Sequence, residues 1–382
     1  MATALMMVVT GAVFGVMNPA EGTFQAQPEV SDMQQRLRVA ASSLYKDLVM
    51  GGAGTYSGSA VGALSNFFAP IVPYRIGTLA PDPAAGVFYR PDAISIAFVP
   101  TTASQCTIRE AMPQPSSEIK VNAQPGCPAG DPLCGFDAGM RVLIFDDGGS
   151  WDTFTVTAVQ SDALHLQHRD DVLSKAYDVA ARIAQVAQHT YWLRSDPESG
   201  TFQLMHYDGY QTDLPLVDHL VGFQLEYFGD PQPPALLKPV SDPKGPWTTY
   251  GPKPPALGVD NRSDTWIAGE NCAFRIDGGT GAQVPRLATL DGPAGSLVRL
   301  DPSILVDGPW CPDQLAPSRF DADLLRVRRV RVTLRVQASL DALRGPQGAL
   351  FTRGGRFTGA ERFVPDQEVR FDVTPRNLNL GR

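Results

Sequence analysis

The first 17 residues constrain this chain more than any other segment. Residues 2–17 read ATALMMVVTGAVFGVM and contain no charged side chain. As a helix they would extend about 24 Å at 1.5 Å per residue, which is shorter than the roughly 30 Å hydrocarbon core of a bilayer. No basic segment precedes them, and no small-x-small cleavage site follows them, as a secretory signal peptide requires. Taken alone, the segment fits a core helix buried at the chain terminus.

A second helical pattern follows the break that Asn18-Pro19 predicts. Ser31 and Gln34 have the spacing of a capping box, so Ser31 is the predicted N-cap of a new helix of about 18 residues. Apolar residues recur there at three- and four-residue steps, and Gly51-Gly52 supply the stop. The apolar stripe comprises Val30, Met33, Leu37, Ala40 or Ala41, Leu44 and Leu48.

Together these two segments resemble the N-terminal spine of type IV pilin-like proteins, in particular PilW-type minor pilins and the related minor pseudopilins of type II secretion. The resemblance rests on residues 1–17 and on residues 30–54, VSDMQQRLRVAASSLYKDLVMGGAG. In that family a short basic leader ending in Gly precedes a Phe-Thr-Leu-x-Glu start and an apolar helix. This sequence lacks the leader and the first mature residues of the family pattern. About eight more upstream residues would give an apolar stretch of roughly 24, enough to span a bilayer with some tilt.

The resemblance implies a structural, non-enzymatic subunit whose N-terminal helix packs in a bundle with other subunits. It implies the inner membrane before assembly, then the periplasm and a cell-surface pilus, with other minor and major pilins and the inner-membrane assembly platform as partners. A large head suits the tip or the initiation complex, because its bulk would hinder continuous stacking. A type II secretion minor pseudopilin, a membrane-anchored surface adhesin and an exported enzyme are the alternatives. The expected assembly face comprises Leu5, Val9, Val13, Val16, Met33, Leu37, Leu44 and Leu48.

Beyond residue 51 the chain alternates short apolar runs with turn residues, which is typical of antiparallel strands. The predicted fold class is therefore α+β, with the N-terminal helix packed on an antiparallel head sheet. The doublet Arg328-Arg329 shifts a strict alternation by one residue and predicts a β-bulge. The predicted strands are Ala93–Val99, Arg141–Phe145, Thr153–Val159, Leu164–Leu166, His189–Leu193, Phe202–Tyr207, Val217–Tyr227, Leu324–Ala338 and Val369–Val373.

Two segments of the head also resemble PilW-type proteins. Residues 190–228, TYWLRSDPESGTFQLMHYDGYQTDLPLVDHLVGFQLEYF, match the strand pair that leads to a Leu-Val-Asp strand in that family. The ending Arg376-Asn377-Leu378 is similar to the way these minor pilins often close.

Four regions are predicted along the chain. Residues 1–50 form the hydrophobic and amphipathic helix, and residues 51–230 form a β-rich head with a small β-module inserted at about 138–170. Residues 231–320 are too rich in Pro and Gly for regular ladders, so this irregular excursion is predicted to be functional or held by a disulfide. Residues 321–382 supply the strands that complete the head sheet.

The five cysteines indicate an oxidising compartment. Cys127 and Cys134 are close enough in sequence to close a tight loop, and Cys272 with Cys311 would cross-link the excursion. The odd cysteine, predicted to be free, is Cys106. Zinc binding is disfavoured because the sequence has no CxxC pair and no Cys-His cluster.

The search for catalytic motifs finds no GxSxG, Walker A, HExxH or helix-opening GxGxxG pattern, so no enzyme activity and no cofactor are expected. The net charge of 32 − 40 = −8 argues against a nucleic-acid partner. His165 and His168 would point to opposite faces of a strand. Asp260, Asp264 and Asp277 lie on Gly-rich and polar loops, and are the weak candidates for a calcium site.

Overall fold

One long helix packed against several antiparallel sheets gives the chain an α+β fold, as the sequence predicts. Both the helix and the sheets come from a computed structural model. The structure describes residues 2–54, 64–73, 89–101, 104–124, 126–146, 150–169, 173–210, 213–234, 266–293, 295–313, 318–355 and 363–379.

Helix α1 is continuous from Ala2–Met50. The predicted break at Asn18-Pro19 and the predicted N-cap at Ser31 are therefore wrong, because the helix continues through both. A proline removes one N–H donor and crowds the preceding turn, which kinks a helix more readily than it ends one. A 49-residue helix is about 73 Å long. In the described part of the chain, no helix combines the length and apolar character needed to cross a membrane.

The strands are mostly short, and every pairing between them is antiparallel. In chain order they are β1 Ile71–Val72, β2 Ala93–Phe98, β3 Gln105–Thr107, β4 Ile119–Lys120, β5 Arg141–Phe145, β6 Trp151–Thr155, β7 Ala158–Gln160, β8 His165–Gln167, β9 Arg182–Gln185, β10 Ala187–Asp196, β11 Thr201–Tyr207, β12 Asp213–Asp218, β13 Leu220–Gly229, β14 Phe274–Ile276, β15 Gln283–Pro285, β16 Val298–Arg299, β17 Trp310–Asp313, β18 Ser318–Asp321, β19 Val327–Val336 and β20 Gln367–Val373.

Two sheets form the main body beneath α1. One has the order β1-β2-β10-β11-β12 and the other β16-β13-β19-β20. The helix contacts β2 and β12 of the first sheet and β19 and β20 of the second. Its residues Met33, Ala40, Leu44 and Leu48 are fully buried in the core that the sheets share. The apolar stripe of α1 is therefore the surface that holds both sheets together.

The predicted strand Val217–Tyr227 is wrong in one respect: it is two strands. β12 ends at Asp218 and belongs to the first sheet, whereas β13 begins at Leu220 and belongs to the second. His219 between them has a φ of 57°, a left-handed conformation that turns the chain out of one ladder and into the other. Thr153–Val159 is likewise divided, since β6 ends at Thr155 and β7 begins at Ala158.

The bulge predicted at Arg328-Arg329 is confirmed. Phe228 pairs with Arg329 and the next residue, Gly229, pairs with Val327, so Arg328 is the extra residue of β19. The bulge turns the Arg328 side chain inward, where its Nη1 donates to the carbonyl oxygens of Leu325 and Val327 at 2.9 and 2.8 Å.

A second core lies in the inserted region. Its strands form two sheets, β3-β9-β5-β6 and β4-β8-β7, around buried side chains drawn from residues 106–183. These strands cover residues 105–185, a wider range than the 138–170 expected from the sequence. β3 and β9 lie outside the expected range and pair with each other, although Thr107 and Arg182 are 182 − 107 = 75 positions apart in the sequence.

Candidate functional site

The expected assembly face of α1 is largely turned inward in the described half of the helix. Met33, Leu44 and Leu48 are fully buried and Leu37 is 9% exposed, all within this chain's own core. That part of the predicted face is therefore corrected, because these side chains hold the helix on its own sheets. The side chains of Leu5, Val9, Val13 and Val16 lie outside the described residues.

The outward face of α1 is mainly polar between residues 26 and 50. Two large apolar side chains interrupt it: Val39 is 39% exposed and Tyr45 is 53% exposed. Nearer the N-terminus, Met6 and Met7 are 74% and 77% exposed. The exposed polar residues of this face include Gln27, Ser31, Gln34, Gln35, Arg38, Ser42 and Lys46.

Both cysteine pairs proposed from the sequence lie at disulfide distance. The sulfurs of Cys127 and Cys134 are 2.09 Å apart, and those of Cys272 and Cys311 are 2.05 Å apart. Cys106 is free and buried, and burial raises the pKa of its thiol to about 12. Cys106 is therefore a protonated, unreactive core residue at neutral pH.

Two of the calcium candidates, Asp260 and Asp264, lie outside the described residues. Asp277 accepts hydrogen bonds from the backbone N–H and the hydroxyl of Thr280 at 3.0 and 2.7 Å. These two bonds lower the pKa of Asp277 and identify it as a turn residue. Among the described side chains, Asp277 belongs to no group of three candidate metal ligands.

The sequence predictions missed a cluster of polar side chains beneath α1. It consists of Asp47 on the helix, His189 and Tyr191 on β10, and His206 on β11, and is called the Asp-His cluster below. Residues 189 and 191 alternate onto the same face of β10, and Tyr191 is paired with His206 across the two strands. All three side chains therefore face the helix.

Asp47 is the hydrogen-bond acceptor at the centre of the Asp-His cluster. Its Oδ2 lies 2.6 Å from Nδ1 of His189 and accepts a hydrogen bond from the Tyr191 hydroxyl, also at 2.6 Å. Burial alone would raise the pKa of Asp47. The hydrogen bond and charge of His189, together with the Tyr191 hydroxyl, outweigh burial and leave the pKa below its usual value. Asp47 is thus an ionised, buried carboxylate.

His206 is the least satisfied member of the cluster. Burial lowers the pKa of His206, and repulsion from His189 lowers it further, against the opposing charges of Asp47 and Asp208. Its Nε2 is buried and has no hydrogen-bond partner among the described residues. Its ring lies 4.9 Å from the His189 ring and 4.6 Å from the Tyr191 ring, centroid to centroid.

Asp307, Asp321 and Asp323 form a second group of carboxylates. Asp321 is fully buried and accepts from the backbone N–H groups of Gly308 and Asp323 at 2.6 and 2.9 Å. Burial raises the pKa of Asp321 to about 7 and that of Asp323 to about 6. Arg326 donates to Asp323 at 2.5 Å, so the two buried carboxylates, Asp321 and Asp323, both have donors within the chain, as expected of structural groups.

Comparison of the chain with protein-family models, with curated proteins and with solved structures gives no match.

The pKa of His206 leads to a prediction about acid stability. Since its folded-state pKa lies below 6.5, the unfolded chain binds this proton first, and the folded state loses stability as the pH falls below about 6.5. His206→Gln removes this term, so the wild-type chain should lose more stability than the variant between about pH 8 and pH 5. Urea unfolding of both proteins with EDTA present measures the difference. Equal slopes would contradict the prediction, because the acidic groups at Asp321 and Asp323 are common to both proteins.

Proposed function

We propose that the chain is a structural minor pilin subunit of a type IV pilus, which assembles through α1 and occupies the tip or the initiation complex. Its partners are other minor and major pilins and the inner-membrane assembly platform, and it resides in the inner membrane before it joins the filament. The observation that carries the proposal is the continuous 49-residue α1, whose apolar stripe between residues 26 and 50 packs on the core of the body.

Two further observations support this proposal. The outward face of α1 combines polar residues with the exposed Val39 and Tyr45, which suits contacts between helices that must also remain solvated before assembly. Two cysteine pairs at disulfide distance suit a head that folds outside the reducing cytoplasm. In the proposed arrangement, the buried half of the stripe anchors the head to its helix, and the outward face contacts neighbouring helices.

The test is a deletion strain scored for surface filaments and for release of secreted proteins. Loss of filaments supports the pilus subunit, whereas loss of secretion with normal filaments supports the type II secretion pseudopilin. Normal filaments together with normal secretion would overturn both. In that case, ligand binding by the head would support the membrane-anchored adhesin.

A substitution on the outward face of α1 tests the mechanism of assembly. Val39→Asp should reduce filaments to the level of the deletion strain, because it places a charge in a helix contact while leaving the core of the head intact. Val179 is 59% exposed in the inserted region, so Val179→Asp is the matched control and should leave filaments unchanged. Equal filament numbers in both strains would show that this part of α1 makes no assembly contact.

A further inference from the structure

The Asp-His cluster contains possible ligand atoms that its hydrogen bonds do not fully occupy. Asp47, His189 and His206 each contribute one ligand atom, and these three atoms all lie within 4.8 Å of one another. Ligands of a tetrahedral zinc ion, at 2.0–2.2 Å from the metal, lie about 3.3 Å apart. Small side-chain rotations therefore bring all three atoms onto one ion. We propose that Asp47, His189 and His206 bind a divalent transition-metal ion of the zinc class.

The chemistry of the three ligands favours such an ion over calcium or magnesium. Imidazole nitrogens suit zinc and its neighbours in the first transition row, whereas calcium and magnesium take oxygen ligands. A neutral imidazole is the form that binds metal, and the burial that keeps His206 neutral also keeps its lone pair available. The ionised carboxylate of Asp47 supplies the negative charge that offsets part of the charge of the ion.

The surroundings of the cluster orient these ligands. The Tyr191 hydroxyl donates to the carboxylate of Asp47, which is the arrangement by which outer-shell groups fix a metal-binding carboxylate. The ring of Phe98 meets the His189 ring edge-on at 5.0 Å, and the Tyr191 ring lies against that of His206. The buried Nε2 of His206 is a second, independent sign, since buried polar atoms ordinarily have a partner.

A metal ion at this site would connect three elements, of which the hydrogen bonds of Asp47 connect α1 and β10. Asp47 belongs to α1, His189 to β10 and His206 to β11, so a bound ion would fasten the helix to two neighbouring strands. Binding through Nδ1 of His189 requires that this nitrogen carry no proton, so in the neutral ring the proton lies on Nε2 and the Nδ1–Asp47 hydrogen bond gives way to bonds from both residues to the ion. The inference is independent of filament assembly, because it concerns how the helix is held on its own sheets.

The test uses the full chain, purified with EDTA and then freed of it, with Zn²⁺ or Co²⁺ alone as the probe. Zn²⁺ should raise the midpoint of thermal unfolding, and Co²⁺ should bind with a stoichiometry of about one and give visible d–d absorption. A wild-type chain with no saturable binding of either ion would overturn the proposal.

Three variants separate ligation from folding. His206→Gln keeps both hydrogen bonds to Asp47 and should weaken Co²⁺ binding by at least about 100-fold, whereas Tyr191→Phe keeps all three ligands and should weaken it by about 10-fold. His165→Gln is the matched control, because His165 is a partly exposed residue of β8 in the inserted region, where its Nδ1 lies 2.9 Å from the Glu118 carboxylate. Unchanged binding in His206→Gln would overturn the proposal. If that variant does not fold, Tyr191→Phe decides, since affinity equal to that of His165→Gln would also overturn it.

Discussion

Replacing Arg326 with methionine should lower the free energy of unfolding by about 3–5 kcal/mol, the range for breaking a buried ion pair from one side. The Arg326 side chain is 1% exposed. It donates to the Asp323 carboxylate at 2.5 Å, to the carbonyl oxygen of Pro231 at 3.0 Å and to that of Ala288. These contacts connect the turn before β19 with Pro231, which follows β13, and with Ala288, which follows β15. Methionine fills much of the same volume but leaves the buried carboxylate of Asp323 and the carbonyl oxygen of Ala288 without this donor, whereas the carbonyl oxygen of Pro231 keeps the N–H of Leu290 at 2.8 Å.

The pH dependence of the Arg326→Met variant provides a second readout. Burial raises the pKa of Asp323 to about 6, and Arg326 opposes that rise. Without Arg326 the pKa of Asp323 in the folded state rises further above the unfolded value of 3.8. The folded state then binds the proton of Asp323 more tightly than the unfolded chain does. The variant therefore loses stability as the pH rises from 3.8 toward the higher folded-state pKa. The difference in free energy of unfolding between the wild-type chain and Arg326→Met should therefore be smaller at about pH 5 than at about pH 8.

The control for this prediction is Arg299→Met. The Arg299 side chain is 60% exposed, and its ion pair with Glu226 at 3.1 Å is of the surface type, worth at most about 1 kcal/mol. Urea unfolding at both pH values measures all three proteins. Similar losses for Arg326→Met and Arg299→Met, or a deficit that does not change with pH, would contradict the account of Arg326 as a buried junction.

Where local periodicity determines an element, the sequence predicts it well. The apolar run Arg141–Phe145, followed by turn residues in the sequence, gives the bounds of β5, and the phase shift at Arg328-Arg329 locates the bulge of β19. The first signal is a run of apolar residues that are buried on both faces of the strand. The second depends on which side of the strand each residue occupies, a constraint that a sheet imposes directly on neighbouring residues.

The failures have a different physical origin. The apolar residues of 217–227 predict one strand, yet the chain changes sheets at His219 through a left-handed φ that no pattern in the sequence predicts. The prediction of a break in α1 is wrong for the opposite reason, because here the local signal is present but has no effect. Pro19 and Ser31 carry strong local signals for a helix boundary, but a helix can continue through a proline, and between residues 26 and 50 the packing of the apolar stripe on two sheets stabilises the helix.

The Asp-His cluster shows what sequence can and cannot reveal about a site. Asp47 is three residues after Leu44 and next to Leu48, so it is an acid on the apolar face of the helix, and that position was a usable signal. Its partner His189 is 142 residues away, and the pairing of β10 with β11 decides which histidines reach it. Only the sheet register brings them together, so the inspection of histidines close in sequence, which considered and rejected His165 and His168, did not find this cluster.

Removal of each of the two disulfides should lower the free energy of unfolding by a different amount. Cys272–Cys311 closes a loop with a sequence separation of 39, and Cys127–Cys134 closes one of 7. The chain-entropy relation gives about 4 kcal/mol for the long loop and about 2.5 kcal/mol for the short one. The Cys272 and Cys311 side chains are also part of the main core, whereas Cys127 and Cys134 are only partly buried. Replacing both members of the long pair with alanine should therefore destabilise the chain more.

Urea unfolding of Cys272→Ala/Cys311→Ala and of Cys127→Ala/Cys134→Ala, without reductant, measures this difference. Each double variant leaves one disulfide and the free Cys106, whose buried thiol stays protonated and does not exchange with either bridge. A thiol assay on the folded variants should accordingly detect no reactive group, and the same assay in urea should detect one. A larger loss for the short-loop variant would mean that the excursion around Cys272 is held by its packing and that its covalent link contributes little. In that case strands β14 to β18 should remain protected from hydrogen exchange in the variant that lacks the long-loop bridge.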